Sequence, residues 1–123
     1  MAQEKKKLVV LITRGFDDER SSVAWSIANT AVASNMNVMM FLVAAGTDNV
    51  RKGAADSAHP NPFDPSMSDM VNNFIAGGGR ILVCPPCAKV RGYDADCFID
   101  SVTIAGAPVM LEEIQANAGA LTF

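Results

Sequence analysis

Cys84 and Cys87, separated by Pro85-Pro86, are the residues of this chain best equipped for chemistry. A cysteine ionised to its thiolate is a nucleophile at neutral pH, and a second one close by can attack whatever the first has taken up. The run before them, Ile81-Leu82-Val83, is apolar throughout and reads as a strand buried on both faces. Ala88 to Arg91 reads as the body of a short helix, with Gly92 as its stop. A strand that hands over to a helix at Cys84 puts that sulfur at a helix N-terminus, where partial positive charge favours the thiolate. Lys89 and Arg91 add cationic charge nearby. Cys84 is therefore expected to be an activated sulfur nucleophile. The two prolines fix φ after it and remove two N–H donors, which leaves the cysteine in a rigid turn.

Three readings of the pair compete with a bland one, in which Cys84 is a small apolar residue at a strand end. In the first, Cys84 attacks and Cys87 resolves, as in a dithiol–disulfide oxidoreductase; the alternating pattern of the chain does not look like a thioredoxin. In the second, the pair joins Cys97 and His59 around a metal, for which one CxxC is a weak signal. In the third, Cys84 carries sulfur as a persulfide and Cys87 is auxiliary or packed. No metal and no cofactor is expected. Cys97, beside Phe98 and Ile99, reads as core.

The elements that must position the pair follow from the pattern of apolar residues. Lys7 to Thr13 contains Leu8-Val9-Val10-Leu11-Ile12, a central parallel strand. Arg14 to Asp18 is a loop, and Asp17 or Asp18 caps a helix running to about Ser34. Val23, Ala24, Ile27, Ala28, Ala31 and Val32 form its predicted inner face, with Trp25 beside it as a core or interface anchor. Val38 to Ala45 is a second buried strand ended by Gly46, and a short helix is expected around Asp48 to Ala55. Ser57 to Asp64, which holds His59, the single histidine, is a loop at the same end of the sheet as the first. Asp64-Pro65 reads as cap and first turn of a helix with a Met67, Met70, Val71, Phe74, Ile75 stripe, stopped by Gly77-Gly78-Gly79. After the cysteines come a strand over Val102 to Ala105, a helix over Pro108 to Ala116 with Glu112 and Glu113 exposed, and a closing strand, Leu121-Thr122-Phe123. Helices alternating with aliphatic strands imply a three-layer α/β domain on a parallel sheet. In such sheets, ligands gather outside the carboxyl ends of the strands. The loops carrying Asp17 and His59 arrive there with Cys84.

The 123 residues suit one domain, 1–123, and half of them are hydrophobic, with seven methionines. That is more apolar surface than one small domain covers, and it points to a homo-oligomer. A net charge of −3 with a single basic run, Lys5-Lys6-Lys7, argues against a nucleic-acid surface. No apolar run is long enough for a signal peptide or a membrane span, so a cytoplasmic protein is expected.

The stretch Cys84-x-x-Cys87-x-x-x-Arg91-Gly92 at the end of an aliphatic strand resembles the DsrE/DsrF-like family, which includes sulfur-relay subunits. The first strand with Thr13-Arg14-Gly15-Phe16-Asp17-Asp18, then Phe41-Leu42-Val43-Ala44-Ala45-Gly46, and the closing Leu121-Thr122-Phe123 are similar to the same family's elements. The resemblance spans nearly the whole chain. It implies a three-layer α/β/α domain with a five-stranded parallel sheet and assembly into trimers or hexamers. It also implies a persulfide on Cys84, exchanged with sulfur donor or acceptor proteins. The expectation is thus a small sulfur carrier of the sulfurtransferase type, with Cys84 and Cys87 as reacting residues and Arg91, Lys89, Asp17 and His59 as auxiliary ones. The alternatives are an oligomeric binding or regulatory module of the same fold and a Cys84/Cys87 dithiol redox protein.

Overall fold

The computed structural model describes residues 5–123. Strands β1 (Lys7–Ile12), β2 (Asn37–Leu42), β3 (Arg80–Val83), β4 (Val102–Ile104) and β5 (Gly119–Thr122) form one sheet in the order β4-β3-β2-β1-β5, with every pairing parallel. Parallel neighbours need crossovers, and helices supply most of them: α1 (Glu19–Ala33), α2 (Met67–Ala76), α3 (Pro85–Val90) and α4 (Ala107–Gln115).

Alternation along the strands sorts their side chains onto two faces. Leu8, Val10, Ile12, Val38, Met40, Leu42, Ile81 and Val83 pack into one core with α1 and α2. Val9, Met39, Phe41 and Leu82 face the other way, where Met110 and Ile114 of α4 cover them. The expected three-layer α/β/α architecture with five parallel strands is the observed one.

On the first face Trp25 is fully buried and meets the edge of Phe74, ring centroids 5.6 Å apart and planes at 78°. Such a contact adds about 0.5–1.5 kcal/mol beyond the area it buries. Of the predicted stripe of α2, Met67, Met70, Val71 and Phe74 are buried and Ile75 is partly buried. The buried face of α1 is rotated from the predicted one. It consists of Ser21, Ser22, Ala24, Trp25, Ala28 and Ala31, while Val23 is exposed. The large indole wins the inward position, and Ser21 and Ser22 accompany it because each finds a partner: Ser21 Oγ donates to the Arg14 and Gly15 carbonyls and Ser22 Oγ to Asp64 Oδ2.

Asp18 caps α1 by accepting from the Arg20 N–H. Asp64 does not cap α2; Ser66 does, accepting from the Asp69 N–H, and the helix starts at Met67. β2 stops at Leu42, earlier than predicted, and a 3-10 turn occupies Ala44–Val50 instead of a helix around Asp48. Gly46 lies inside that turn because its backbone presses on Ile12, where a Cβ would overlap the Ile12 carbonyl. Gly77 ends α2 and Gly78, at φ 92°, turns the chain back toward β3.

Glu113, expected exposed, is mostly covered. Arg80 at the start of β3 donates to its Oε1 at 3.0 Å and also to Asn37 Oδ1, and Lys7 lies 3.5 Å from its Oε2. Burial alone would raise this carboxyl's pKa; Arg80 and Lys7 together overcome that and hold it below the ordinary range. The cluster ties α4 to the start of the sheet, at the end opposite the cysteines. Lys7 thus belongs to a strand and an ion pair, while Lys5 and Lys6 are exposed.

Candidate functional site

β3 ends at Val83, and Cys84 is the residue that caps α3. The helix begins at Pro85, with Cys84 at its N-terminus as expected, so both prolines lie in its first turn. They fit there because the first N–H groups of a helix have no partner within it and proline's φ is already helical. Arg91 is the C-cap and Gly92, at φ 75°, is the left-handed residue beyond it.

This arrangement decides how Cys84 ionises. An N-cap side chain ordinarily accepts hydrogen bonds from the N–H groups two or three positions into the helix. Here position two is Pro86, which has none. The Ala88 N–H goes to the Cys84 carbonyl at 3.1 Å. The Cys84 side chain makes no cap hydrogen bond, and the nearby Cys87 N–H only partly favours its anion, lowering the thiol's pKa. Burial acts first and more strongly in the opposite direction, and the neighbouring Cys87 side chain adds to it. The net result is a pKa above that of an ordinary thiol. The direction is opposite to the lowered pKa expected at this position. Two prolines strip the helix end of donors, and α3, at six residues, is too short to supply much of a dipole. Cys84 also packs against the Val9, Met39, Phe41, Leu82 cluster, which is what desolvates it.

The other predicted site residues are not all brought together. Cys84, the cap of α3, and Cys87, its third residue, share the start of that helix and are both half-buried. Arg91 Nη1 donates to the Cys87 carbonyl at 3.1 Å, so the guanidinium closes the end of α3. Lys89 is exposed on the same helix. Asp17 is exposed in the loop between β1 and α1. The exposed His59 meets the Asp64 carbonyl through Nε2 at 2.6 Å and holds its own loop. Cys97 is half-buried outside both core clusters, with Sγ 3.6 Å from Asp94 Oδ1; Phe98 beside it is the core residue. Among the described residues no group of three or more His, Cys, Asp or Glu gathers as a metal site.

The sequence reading missed the residues that fix the rim of the site. Asn49, fully buried, donates to the Arg14 and Gly46 carbonyls and accepts from the Trp25 indole N–H. It locks the loop after β1 to the turn after β2. Tyr93 donates to Asp48 Oδ1 and lies under the Arg51 guanidinium, 5.4 Å from ring centre to Cζ. Apart from the local Asn49–Gly46 bond, the hydrogen-bonded partners lie 24 to 45 residues apart in the chain, and no local spacing announces them.

A parallel five-stranded sheet with helices on both faces and a cysteine pair where its third strand ends defines a class of small α/β proteins. The chain belongs to the DsrE/DsrF-like family, whose model matches residues 5–123. An uncharacterized protein of Methanopyrus kandleri, MK0008, is 30% identical over 116 residues, covering 94% of this chain and 91% of that protein. MJ0760 of Methanocaldococcus jannaschii, also uncharacterized, is 28% identical over 110 residues; the match takes in 89% of this chain but only 40% of that longer protein. Among solved structures, the YchN protein from E. coli superposes with a TM-score of 0.78 at 18% identity, covering 98% of this chain and all of YchN. MTH1491 of Methanobacterium thermoautotrophicum, described as a protein of unknown function, gives 0.75 at 16% identity over 97% of this chain and 100% of its own. At such identities these two structures speak for the fold alone. No helix among the described residues is long and apolar enough to cross a membrane.

Proposed function

We propose that this protein is a small sulfur carrier that takes up sulfane sulfur as a persulfide on Cys84 and hands it to a partner protein. The observation that carries the reading is the pair itself. Two half-buried cysteines lie three residues apart where β3 hands over to α3, at the carboxyl end of a parallel sheet, in a chain of a family that includes sulfur-relay subunits. Loading is attack by Cys84 on the outer sulfur of a persulfidated donor: the new S–S bond forms, and the donor leaves as its thiolate. Burial raises the thiol's pKa, so loading depends all the more on a docked donor that takes its proton. Arg91 and Lys89 act by shaping and charging α3, and Asp17 and His59 lie on loops that a donor would meet. The setting is the cytoplasm.

Assembly of several copies belongs to the same proposal. Two long helices cover one face of the sheet, but on the other α4 works alone and has no fully buried residue. Ile104, Val109, Leu111 and Leu121 are left exposed on β4, α4 and β5. A trimer or hexamer would cover them.

The test is mass spectrometry of the intact chain after incubation with thiosulfate, polysulfide or a persulfidated donor. One added sulfur on Cys84, absent in Cys84→Ser, is the expected result. A folded protein that gains none is not a carrier.

One observation favours a second reading. Cys84 packs against an apolar cluster and its thiol is the less acidic for it, as in a structural cysteine. The protein would then be an oligomeric binding module of the same fold, and Cys84→Ser would leave its assembly and partner binding unchanged.

A further inference from the structure

We infer that sulfur reaches Cys84 from a small organic persulfide with an apolar stem and an acidic end, held in a groove on the second face of the sheet. The inference rests on the carrier reading and names the class of donor. Leu82 and Cys84 both belong to the core cluster of that face, and Cys84 keeps extended backbone, so Arg80, Leu82 and Cys84 form one row by alternation. The parallel pairing of Ile81 with Val102 and Leu82 with Thr103 sets Ser101, Thr103 and Ala105 beside them as a second row. The ladder continues past the strand ends, because the Cys84 N–H donates to the Leu42 carbonyl and the Ala105 N–H to the Val83 carbonyl, at 3.0 and 3.1 Å. α4 packs chiefly on β1. It leaves a groove of about 350 Å³ over the two rows, lined by Met39, Leu82, Thr103, Ala105 and Val109, with Arg80 at the end away from Cys84.

Each feature of the groove selects a part of the donor. Its volume is at the low end of what small-molecule sites occupy, about 300–1,000 Å³. Its apolar lining suits a hydrocarbon stem. A peptide laid over the same side chains would set its N–H and C=O groups against Met39 and Leu82 with nothing to bond. Arg80 supplies the polar end. Its Nη2 holds Asn37 and Glu113, while Nε and Nη1 donate to nothing among the described residues and are open to a carboxylate. Residue steps of about 3.3 Å along β3 put Cys84 about 13 Å from Arg80, which sets the length of the donor. The transfer balances. The Cys84 sulfur bonds to the donor's outer sulfur, the donor's S–S bond breaks, and its thiolate leaves with the bonding pair and takes up the Cys84 proton. The persulfide stays on Cys84 for the partner protein. The reaction that supplies the donor must be one that places sulfane sulfur on a small thiol.

The experiment offers the full chain, under anaerobic conditions, the persulfides of terminal mercapto acids: mercaptopropionate, mercaptohexanoate and mercapto-octanoate. The persulfide of mercapto-octanamide removes the charge, and inorganic polysulfide, which has no stem, is the reference. Loading of Cys84 is followed by intact-mass spectrometry. At low donor concentration the octanoate, whose extended length matches the groove, should load wild type roughly tenfold faster than the propionate or the octanamide. Arg80→Gln should bring the octanoate and octanamide rates together, and Arg80→Lys should keep them apart. Thr103→Trp, which fills the groove from an exposed position on β4, should erase the preference for the long stem. If polysulfide loads wild type but the organic donors show no preference for length or charge, the inference is wrong and the carrier reading survives. If Thr103→Trp changes the size of the assembly in light scattering and leaves the donor preference intact, the groove is a subunit contact and the inference is wrong. If no donor, polysulfide included, loads the folded wild type, the carrier reading fails and this inference with it.

Discussion

The Tyr93 hydroxyl donates a 2.6 Å hydrogen bond to Asp48 Oδ1, joining the segment after α3 to the turn after β2. The Tyr93 N–H reaches back to the Ala88 carbonyl at 2.9 Å, so the tyrosine is fastened to the cysteine-bearing helix at one end and to the neighbouring loop at the other. The strut holds α3 against the turn after β2.

Tyr93→Phe removes the strut and leaves Asp48 with Arg51 as its partner, 3.6 Å away. A loss of about 1–2 kcal/mol in stability is expected, from chemical denaturation. The alkylation rate of Cys84 should rise as α3 loosens. The same pair gives a pH signature. The hydrogen bond to Asp48 is the main cause raising the phenol's pKa above its ordinary value of 10.0. A group whose pKa is raised on folding lends stability that is complete below the unfolded value and is lost as pH rises through the folded one. Wild-type stability should therefore fall above about pH 10 in a step that Tyr93→Phe lacks.

Pro86→Ala should make Cys84 more reactive. It returns an N–H at the second helical position, where an N-cap side chain can accept it, and so stabilises the thiolate. Alkylation at neutral pH is expected to quicken roughly three- to tenfold, since one pKa unit is tenfold in thiolate. Pro85→Ala is the control, because an N–H at the first position does not reach the cap. Equal rates in wild type and Pro86→Ala would mean that missing donors are not what holds the thiol protonated.

Glu113→Gln should cost about 0.5–1 kcal/mol at neutral pH, the scale of an ion pair near the surface. Its effect should vanish in acid. The folded carboxyl is held below its ordinary 4.5, so the stability it lends is present above that value and disappears as pH falls through the lower one. Sulfur uptake should be unchanged, because the cluster sits at the far end of the sheet.

Leu111→Glu should break the assembly. Leu111 is half exposed on α4, and a carboxylate there would have to be desolvated at a subunit contact. Light scattering is expected to find the wild type as a trimer or larger at micromolar concentration and the variant as a single chain. A wild type that is already monomeric would refute the proposed assembly.

The sequence by itself determined the strands, their direction and the layers. Runs such as Leu8–Ile12 and Ile81–Val83 are apolar at every position, which only a strand covered on both faces requires, and the alternation with helices then dictates a parallel sheet. It also located the cysteine pair at the exit of β3, since proline and glycine mark the handover locally. Tertiary structure decided the rest. It chose Trp25 over Val23 for the inward face of α1, because the indole had Phe74 to meet and Asn49 to bond. It covered Glu113 with two cations from distant strands. Above all it set the ionisation of Cys84, because a pKa depends on how much water and how many donors surround the sulfur. The apolar cluster that removes the water comes from β1, β2 and β3, and no local spacing records that meeting.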